Sequence, residues 1–523
     1  MRLQLNKSAI RSVATKRANR NGLVLIVVTI LLALMSLAAL GFVALMQNEH
    51  RASQMRGNEL ILENAALSAS EFLATVARQS RHQRAITIAE TEGGSPFRHQ
   101  SLTESGGDQD GAFFAILPTA WEAEDSPELV FGFTNESSKL HLQTVLDWDK
   151  KVPGSGQRAL MQLPGMSADV ADKILDWIDE DSLPRTMGAE KDKYISQRST
   201  ILPRNAVPKV LDELLLIPGV THSDLFGDAN GSPRMNGNLK PTAGSRGSES
   251  RQHAPWSRFL TVQGRERNET FEGEKRIFLN SPDLIELHQQ LLTSLGLNWA
   301  NFVVAYRQFG PARTLRGVPS TAIEPDFTIQ PKFQFNSELD LIGSKVAVVK
   351  PGKPPILLTS PLPANRIGWA GELSRVMDHV SVDLRPEFRG RVNIELADRV
   401  VLLAIPEMDS ATADQIIFHR SFASAGTASH VHATWLLEQG IVDLNRMKSL
   451  LAHLTTGGDV FSAEVVAYFV DRPMLVHNEI VIDGVVAGHS QLYCKDLRDR
   501  EFPVPLGLLY SKGTNTSAST VAK

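Results

Sequence analysis

The sequence predicts an α+β chain built from one very long N-terminal helix, a small set of β-strands and a large, mainly helical segment between them. Three observations carry this. An uncharged apolar run opens the chain and passes into helical periodicity. β-rich runs gather in two groups, the first at residues 112–117 and 129–134 and the second at 460–469, 479–485 and 491–497. Between them, a helix–tight turn–helix pattern recurs.

The N-terminal element comes first. Residues 1–22 hold Arg2, Lys7, Arg11, Lys16, Arg17 and Arg20 and no acid; residues 23–46 then read LVLIVVTILLALMSLAALGFVALM. As a helix this run reaches about 36 Å, enough to cross a bilayer core, and the leading positive charge keeps that end in the cytoplasm. Three readings compete: a secretory signal with Ser36-Leu37-Ala38 as its cleavage site, a plain signal anchor, and a short basic leader cut between Gly22 and Leu23. The following residues favour the third. Ala52, Met55, Glu59, Leu62, Ala66, Ala69, Leu73 and Val76 step by three and four, and no proline occurs from residue 23 to 84. One helix is therefore expected to run unbroken to about Arg78, half in lipid and half against a globular body.

The middle segment carries the repeats. LMQLPGMSADVADKILDWID (from Leu160), LLLIPGVTHSDLF (from Leu214) and VNIELADRVVLLAIPEMDSATADQIIFHR (from Val392) each read as helix, Pro-containing hairpin and helix; residues 277–307 are a degenerate relative. Ser167 reads as an N-cap, with Ala171 and Ile174 on the buried face. The pattern resembles the helix-hairpin-helix unit of DNA-binding proteins. Here, however, the second hairpin glycine is missing, Glu407 sits where a phosphate would lie, and Asp169, Asp172, Asp176, Asp179, Asp409 and Asp414 crowd the helices. With a formal net charge of −4, packing between units rather than nucleic-acid binding is expected.

The remaining chemistry is sparse. One cysteine, Cys494, excludes an intramolecular disulfide and reads as a small buried hydrophobe in a strand. His419, His430, His432 and His453 show no ligand spacing and read as surface or packing histidines. Trp148, Trp177, Trp256, Trp299, Trp369 and Trp435 read as core. HExxH, GxSxG and GxxxxGK[ST] are all absent from the sequence, which leaves an enzyme reading without support. Asp176, Asp179, Glu180 and Asp181, followed by Glu190 and Asp192, offer carboxylates suited to Ca²⁺ if the loop closed by Gly188-Ala189-Glu190 folds back on the helix end. The ligand set expected is Asp179, Asp181, Glu190 and Asp192. Asp228-Ala-Asn230-Gly is a weaker candidate.

Taken together, these motifs resemble the general secretion pathway protein K family, the large minor pseudopilin of type II secretion. The likeness rests on the leader and helix, on FTNESSKLHL (from Phe133), on LPGMSADVADKILDWIDEDSLPRTMGAEKDKY (from Leu163) and on LTTGGDVFSAEVVAYF (from Leu454). Val27 stands at the fifth mature position, where this family lacks the acid of other pilins. The resemblance implies a pilin-like fold, the long helix on a small antiparallel sheet with a helical domain inserted. It also implies calcium in that domain, and a place at the tip of a periplasmic filament anchored by a single span in the inner membrane. The partners implied are other minor and major pseudopilins, the inner-membrane assembly platform and prepilin peptidase, with no nucleic acid.

The expected organisation is leader 1–22, long helix 23–84, first part of the sheet 110–142, inserted domain 143–455 with a flexible insertion at 227–255, second part of the sheet 456–510, and a disordered tail 511–523. A minor subunit of a type IV pilus or competence system is a close variant. A membrane-tethered DNA-binding helix-hairpin-helix protein is a distant one. Residues 310–389 are richer in strand-like and proline-containing sequence than the family pattern implies.

Overall fold

The computed structural model describes residues 20–89, 95–102, 111–119, 129–196, 200–227, 254–312, 317–320, 323–349, 352, 354–369, 371–422, 430–486, 488, 490–498, 502 and 505–510. The leader up to residue 19, nearly all of the insertion at 227–255, with Asp228 and Asn230, and the tail from 511 lie outside these. The chain forms two compact units, residues 1–61 and 62–523.

The first element is a single α-helix, Arg20–Arg78. In the first unit every large apolar side chain between Leu23 and Met46 is exposed, as expected of a surface that lipid rather than protein would cover. In the second unit the seam turns inward. Leu62, Ala65, Ala66, Ala69, Leu73, Ala74, Val76 and Ala77 are buried. The sequence seam from Ala52 is therefore only partly used: Ala52 and Met55 are exposed. Small residues at 65, 66, 69, 74 and 77 let the helix backbone lie close to the strands. A second helix, Arg81–Ala89, follows after a break at Gln79 and Ser80.

The helix packs on an antiparallel sheet. Its strands run in the order Gln100–Ser101, Ala112–Leu117, Val460–Phe469, Leu475–Asp483 and Gln491–Asp496, with Thr134–Asn135 also paired to Val460–Phe469. Alternation divides the central strand. Phe461, Ala463, Val465 and Ala467 join Phe114, Ile116, Ile480 and the helix in one core. Val466 and Tyr468 join Phe113, Ala115, Leu117 and Leu509 in another.

Three strand expectations shift. Of residues 129–134, only Thr134 enters the ladder; Phe131 and Phe133 instead pack their rings against the helix-side core. The strand expected at 479–485 starts at Leu475, because Leu475 pairs with Tyr468 across the turn. His477 and Glu479, buried or half-buried polar residues, hide its alternation in the sequence. Cys494 is exposed rather than buried: it stands opposite Ile480 in the outermost strand, at the edge of the core.

Between the two groups of strands lies the largest core, which includes all six tryptophans named above. The first repeat has helices Ser155–Leu160 and Ala168–Ile178, and the third has Arg399–Ala404 and Ser410–Phe422. In the second, a 3₁₀ helix Leu211–Leu216 replaces the first helix and His222–Phe226 is a single turn. The hairpins need a left-handed residue. Gly165 (φ 70°) and Gly219 (φ 102°) supply it, and Glu407 takes the same region at φ 63°. Residues 277–307 open with a strand, then give helices Leu284–Ser294 and Leu297–Phe309. Ser167 has extended N-cap backbone angles, but its hydroxyl donates to Asp169 instead of accepting from the helix.

The segment is less purely helical than expected. Two-stranded ladders join Leu140–His141 to Leu260–Thr261, Arg265–Arg267 to Glu387–Arg389, Ile277–Phe278 to Val380–Ser381 and Val392–Asn393 to Leu454–Thr455. Residues 310–389 hold a three-stranded sheet, Val318–Ser320, Lys345–Val348 and Ile356–Thr359. Runs of two or three residues carry no readable period, and their partners lie far away in sequence.

Candidate functional site

Helix Ala168–Ile178 places Asp172 and Asp176 one turn apart on one face, and Asp179 follows as its C-cap. All three are buried, Asp176 completely. The chain then turns back through residues 181–189 into helix Lys191–Ser196. Asp176, Asp179 and Glu190 converge so that ligand oxygens of all three lie within 4.8 Å of one another. Gly188 makes this approach possible: a Cβ there would overlap the Asp176 carboxylate.

Arg185 enters the cluster from the loop. Its Nη1 donates to Asp176 Oδ1 at 2.7 Å and to Asp179 Oδ2, and its Nη2 to Asp149 Oδ2 at 3.1 Å. Its backbone N–H also reaches Asp176, 3.2 Å from Oδ2. Asp179 Oδ1, both oxygens of Glu190 and the hydroxyl of Tyr194 are buried without a well-aligned hydrogen-bond partner.

The electrostatics follow from this crowding. Burial, then Asp176 and Asp179, push the Glu190 carboxyl up to about 7. Burial also raises Asp176 and Asp179, against the pull of Arg185. Burial works against the charge on Arg185, but its bonds to Asp179, Asp176 and Asp149 outweigh that and raise its pKa. Tyr194, buried beside Asp176 and Glu190, is pushed up to about 12. The result is a buried, oxygen-rich, over-negative pocket. Its donors are hard, and with so many anions in one place it favours a cation.

Of the ligand set expected from the sequence, Asp179 and Glu190 come together. Asp181 is exposed and accepts from the Leu183 amide at 2.8 Å, and Asp192 is exposed on the following helix. Asp176 takes part instead. The signal for it was the spacing of Asp172, Asp176 and Asp179, which helical geometry puts on one side. Among the described residues the four histidines pack on tryptophans or hydrogen-bond singly. His430 stacks on Trp435, with centroids 4.3 Å apart, and its Nδ1 lies 3.1 Å from Glu395; His453 accepts from Trp148.

The class of fold is α+β: one long helix, apolar from Leu23 to Met46, packs its second half on an antiparallel sheet, and a large, mainly helical segment is inserted between the strands. Residues 142–225 match the family model for Type II secretion system (T2SS), protein K. Over that stretch the chain resembles the type II secretion system protein K family. The matched stretch contains Asp149, the three converging carboxylates and Arg185. Among solved structures, the chain is similar to one in the crystal structure of the GspK-GspI-GspJ complex from the enterotoxigenic Escherichia coli type 2 secretion system. Identity is 10% and the TM-score 0.35, covering 85% of this chain and 99% of that one. No curated protein matches the sequence significantly.

Proposed function

We propose that this chain is a minor pseudopilin of type II secretion, a structural subunit that caps the tip of a short periplasmic filament and carries one bound Ca²⁺ in its helical body. The observation that carries the tip reading is the size of the body between residues 135 and 460 compared with the small sheet. So bulky an insertion would obstruct the addition of a further subunit above it. Prepilin peptidase cuts between Gly22 and Leu23, and the mature chain stays in the inner membrane through residues 23–46 with its bulk in the periplasm. Val27 offers no carboxylate to pair with a neighbour's mature N-terminus, and a terminal position needs none. Other minor pseudopilins, comparable to GspI and GspJ of the similar complex, pack beside it. Major pseudopilins follow below, and the inner-membrane assembly platform adds them.

Asp176, Asp179 and Glu190 are the residues that would hold the cation. The fit rests on the unpartnered oxygens of Asp179 and Glu190, which lie where a hard divalent ion would satisfy them. Bound there, it supplies charge neutralisation and ties residue 190 to the helix end. Asp176 and Asp179 orient the loop through Arg185, and Gly188 keeps the approach open.

Two measurements test this. The intact mass of chain recovered from membranes should correspond to a start at Leu23, and Gly22→Trp should leave the leader attached; a wild-type mass that includes residues 1–22 rejects processing. Calcium titrated into the full chain in detergent should bind one equivalent, lost in Glu190→Gln. No heat and no lanthanide competition would remove the metal from the reading.

A further inference from the structure

The carboxylate cluster has two sides, and only one is filled. Arg185 takes Oδ1 of Asp176, Oδ2 of Asp179 and Oδ2 of Asp149. The other oxygen of Asp179 and both of Glu190 have no well-aligned hydrogen-bond donor, although Glu190 is 96% buried, at 4% exposure. Three buried carboxylates and the half-buried Asp149 with one guanidinium do not balance, yet the guanidinium already satisfies the side nearest the helix. A cation entering from the Glu190 side would find free oxygens without displacing it.

We infer that Arg185 is a resident cation that shares Asp176 and Asp179 with the bound divalent ion, so that the site stays folded when the ion is absent. The inference deepens the calcium reading above and rests on it. Two cations divide the work. Arg185 holds the loop 181–189 and orients the aspartates. The divalent ion adds the Glu190 side and thereby clamps the start of helix Lys191–Ser196. Metal binding is then a graded stiffening of a formed loop, not the condition for forming it. Removing Arg185 converts the segment into one that orders only with metal, because buried carboxylates without a partner cannot stay together. Arg185 acts through other residues, so it is a positioning residue. Lysine does not replace it fully, since one ammonium lacks the fork that reaches three carboxylates.

The test is hydrogen exchange of the peptide spanning residues 180–196, in the full chain in detergent, with chelator and with excess calcium chloride. Calcium binding is measured in parallel by calorimetry. In wild type, exchange should slow modestly on adding calcium. In Arg185→Gln with chelator it should speed up roughly tenfold or more, and calcium should restore most of the protection. Arg185→Lys should fall between and also be rescued, which covers the case in which the glutamine variant does not fold. Equal loss of protection with and without calcium would make Arg185 an ordinary structural ion pair and overturn the inference. So would no loss in either condition. If calcium binds neither wild type nor variant, the metal reading itself fails, and calorimetry separates that result from the others.

Discussion

The indole N–H of Trp148 donates to Nδ1 of His453 at 3.0 Å, with the two rings edge-on at 89°. The bond ties helix Leu142–Lys151 to the segment that re-enters the sheet, and it requires that Nδ1 carry no proton. Burial, aided by Lys151, pulls His453 down to about 4. Burial does the same for His141, which is 6% exposed. Both rings titrate near 6.5 when unfolded, so the unfolded state binds these protons more tightly. Stability should be full above about pH 6.5 and fall as pH drops toward 4, by about 1–3 kcal/mol per ring, with His453 at the lower end because it is partly solvated. Thermal unfolding of the chain from pH 8 to 4 measures this. His453→Gln keeps an acceptor for Trp148 and should flatten part of the slope; a profile flat in wild type would refute the assignment.

The packed part of the long helix should respond differently from the exposed part. Leu73 is wholly buried against the sheet, so Leu73→Ala should cost about 2–5 kcal/mol. Ala69→Leu should cost about 1–3 kcal/mol, because the strands leave no room at this fully buried position. Met55→Ala, at an exposed site, should change stability by less than about 0.5 kcal/mol. Denaturant melts followed by circular dichroism would rank the three. Equal effects at 55 and 73 would contradict the observed burial.

The repeat hairpins make a backbone prediction. Gly165 has φ 70°, so Gly165→Ala should destabilise by about 1–2 kcal/mol through strain alone. Glu407→Gly relieves the same strain but loses the bond from Ser449 Oγ to the carboxylate, a loss of about 0.5–1.5 kcal/mol. Its net effect should therefore be the smaller of the two in unfolding experiments on the two variants.

At the carboxylate cluster proposed to hold calcium, Gly188→Ala drives a methyl group into the Asp176 carboxylate. Calcium affinity measured by calorimetry should fall roughly 10–100-fold. Asp192→Asn, at an exposed position outside the converging trio, should leave it within about twofold. A larger loss from Asp192 than from Gly188 would place the ion elsewhere.

The parts legible in the sequence were those with a short-range signature. The uncharged run from Leu23, the three-and-four stepping to Val76 and the absence of proline specify a helix, because helical hydrogen bonds join residues four apart. The structure ends that helix at Arg78. The runs at 112–117 and 460–469 were readable as strands from β-branched and aromatic content, and both appear with those bounds. Asp179 and Glu190 were readable as candidate ligands from the density of acids around a turn.

What the tertiary structure alone decided is which side chains meet. It joined Ala112–Leu117 to Val460–Phe469 across more than three hundred residues, built ladders from runs of two or three, and exposed Cys494 at the sheet edge. It also exchanged Asp181 and Asp192 for Asp176, and brought Arg185 in among the carboxylates. The physical reason is the same in each case. Local sequence sets the backbone through near-neighbour hydrogen bonds and sterics, whereas burial, charge pairing and strand register depend on residues that come close only when the chain has folded.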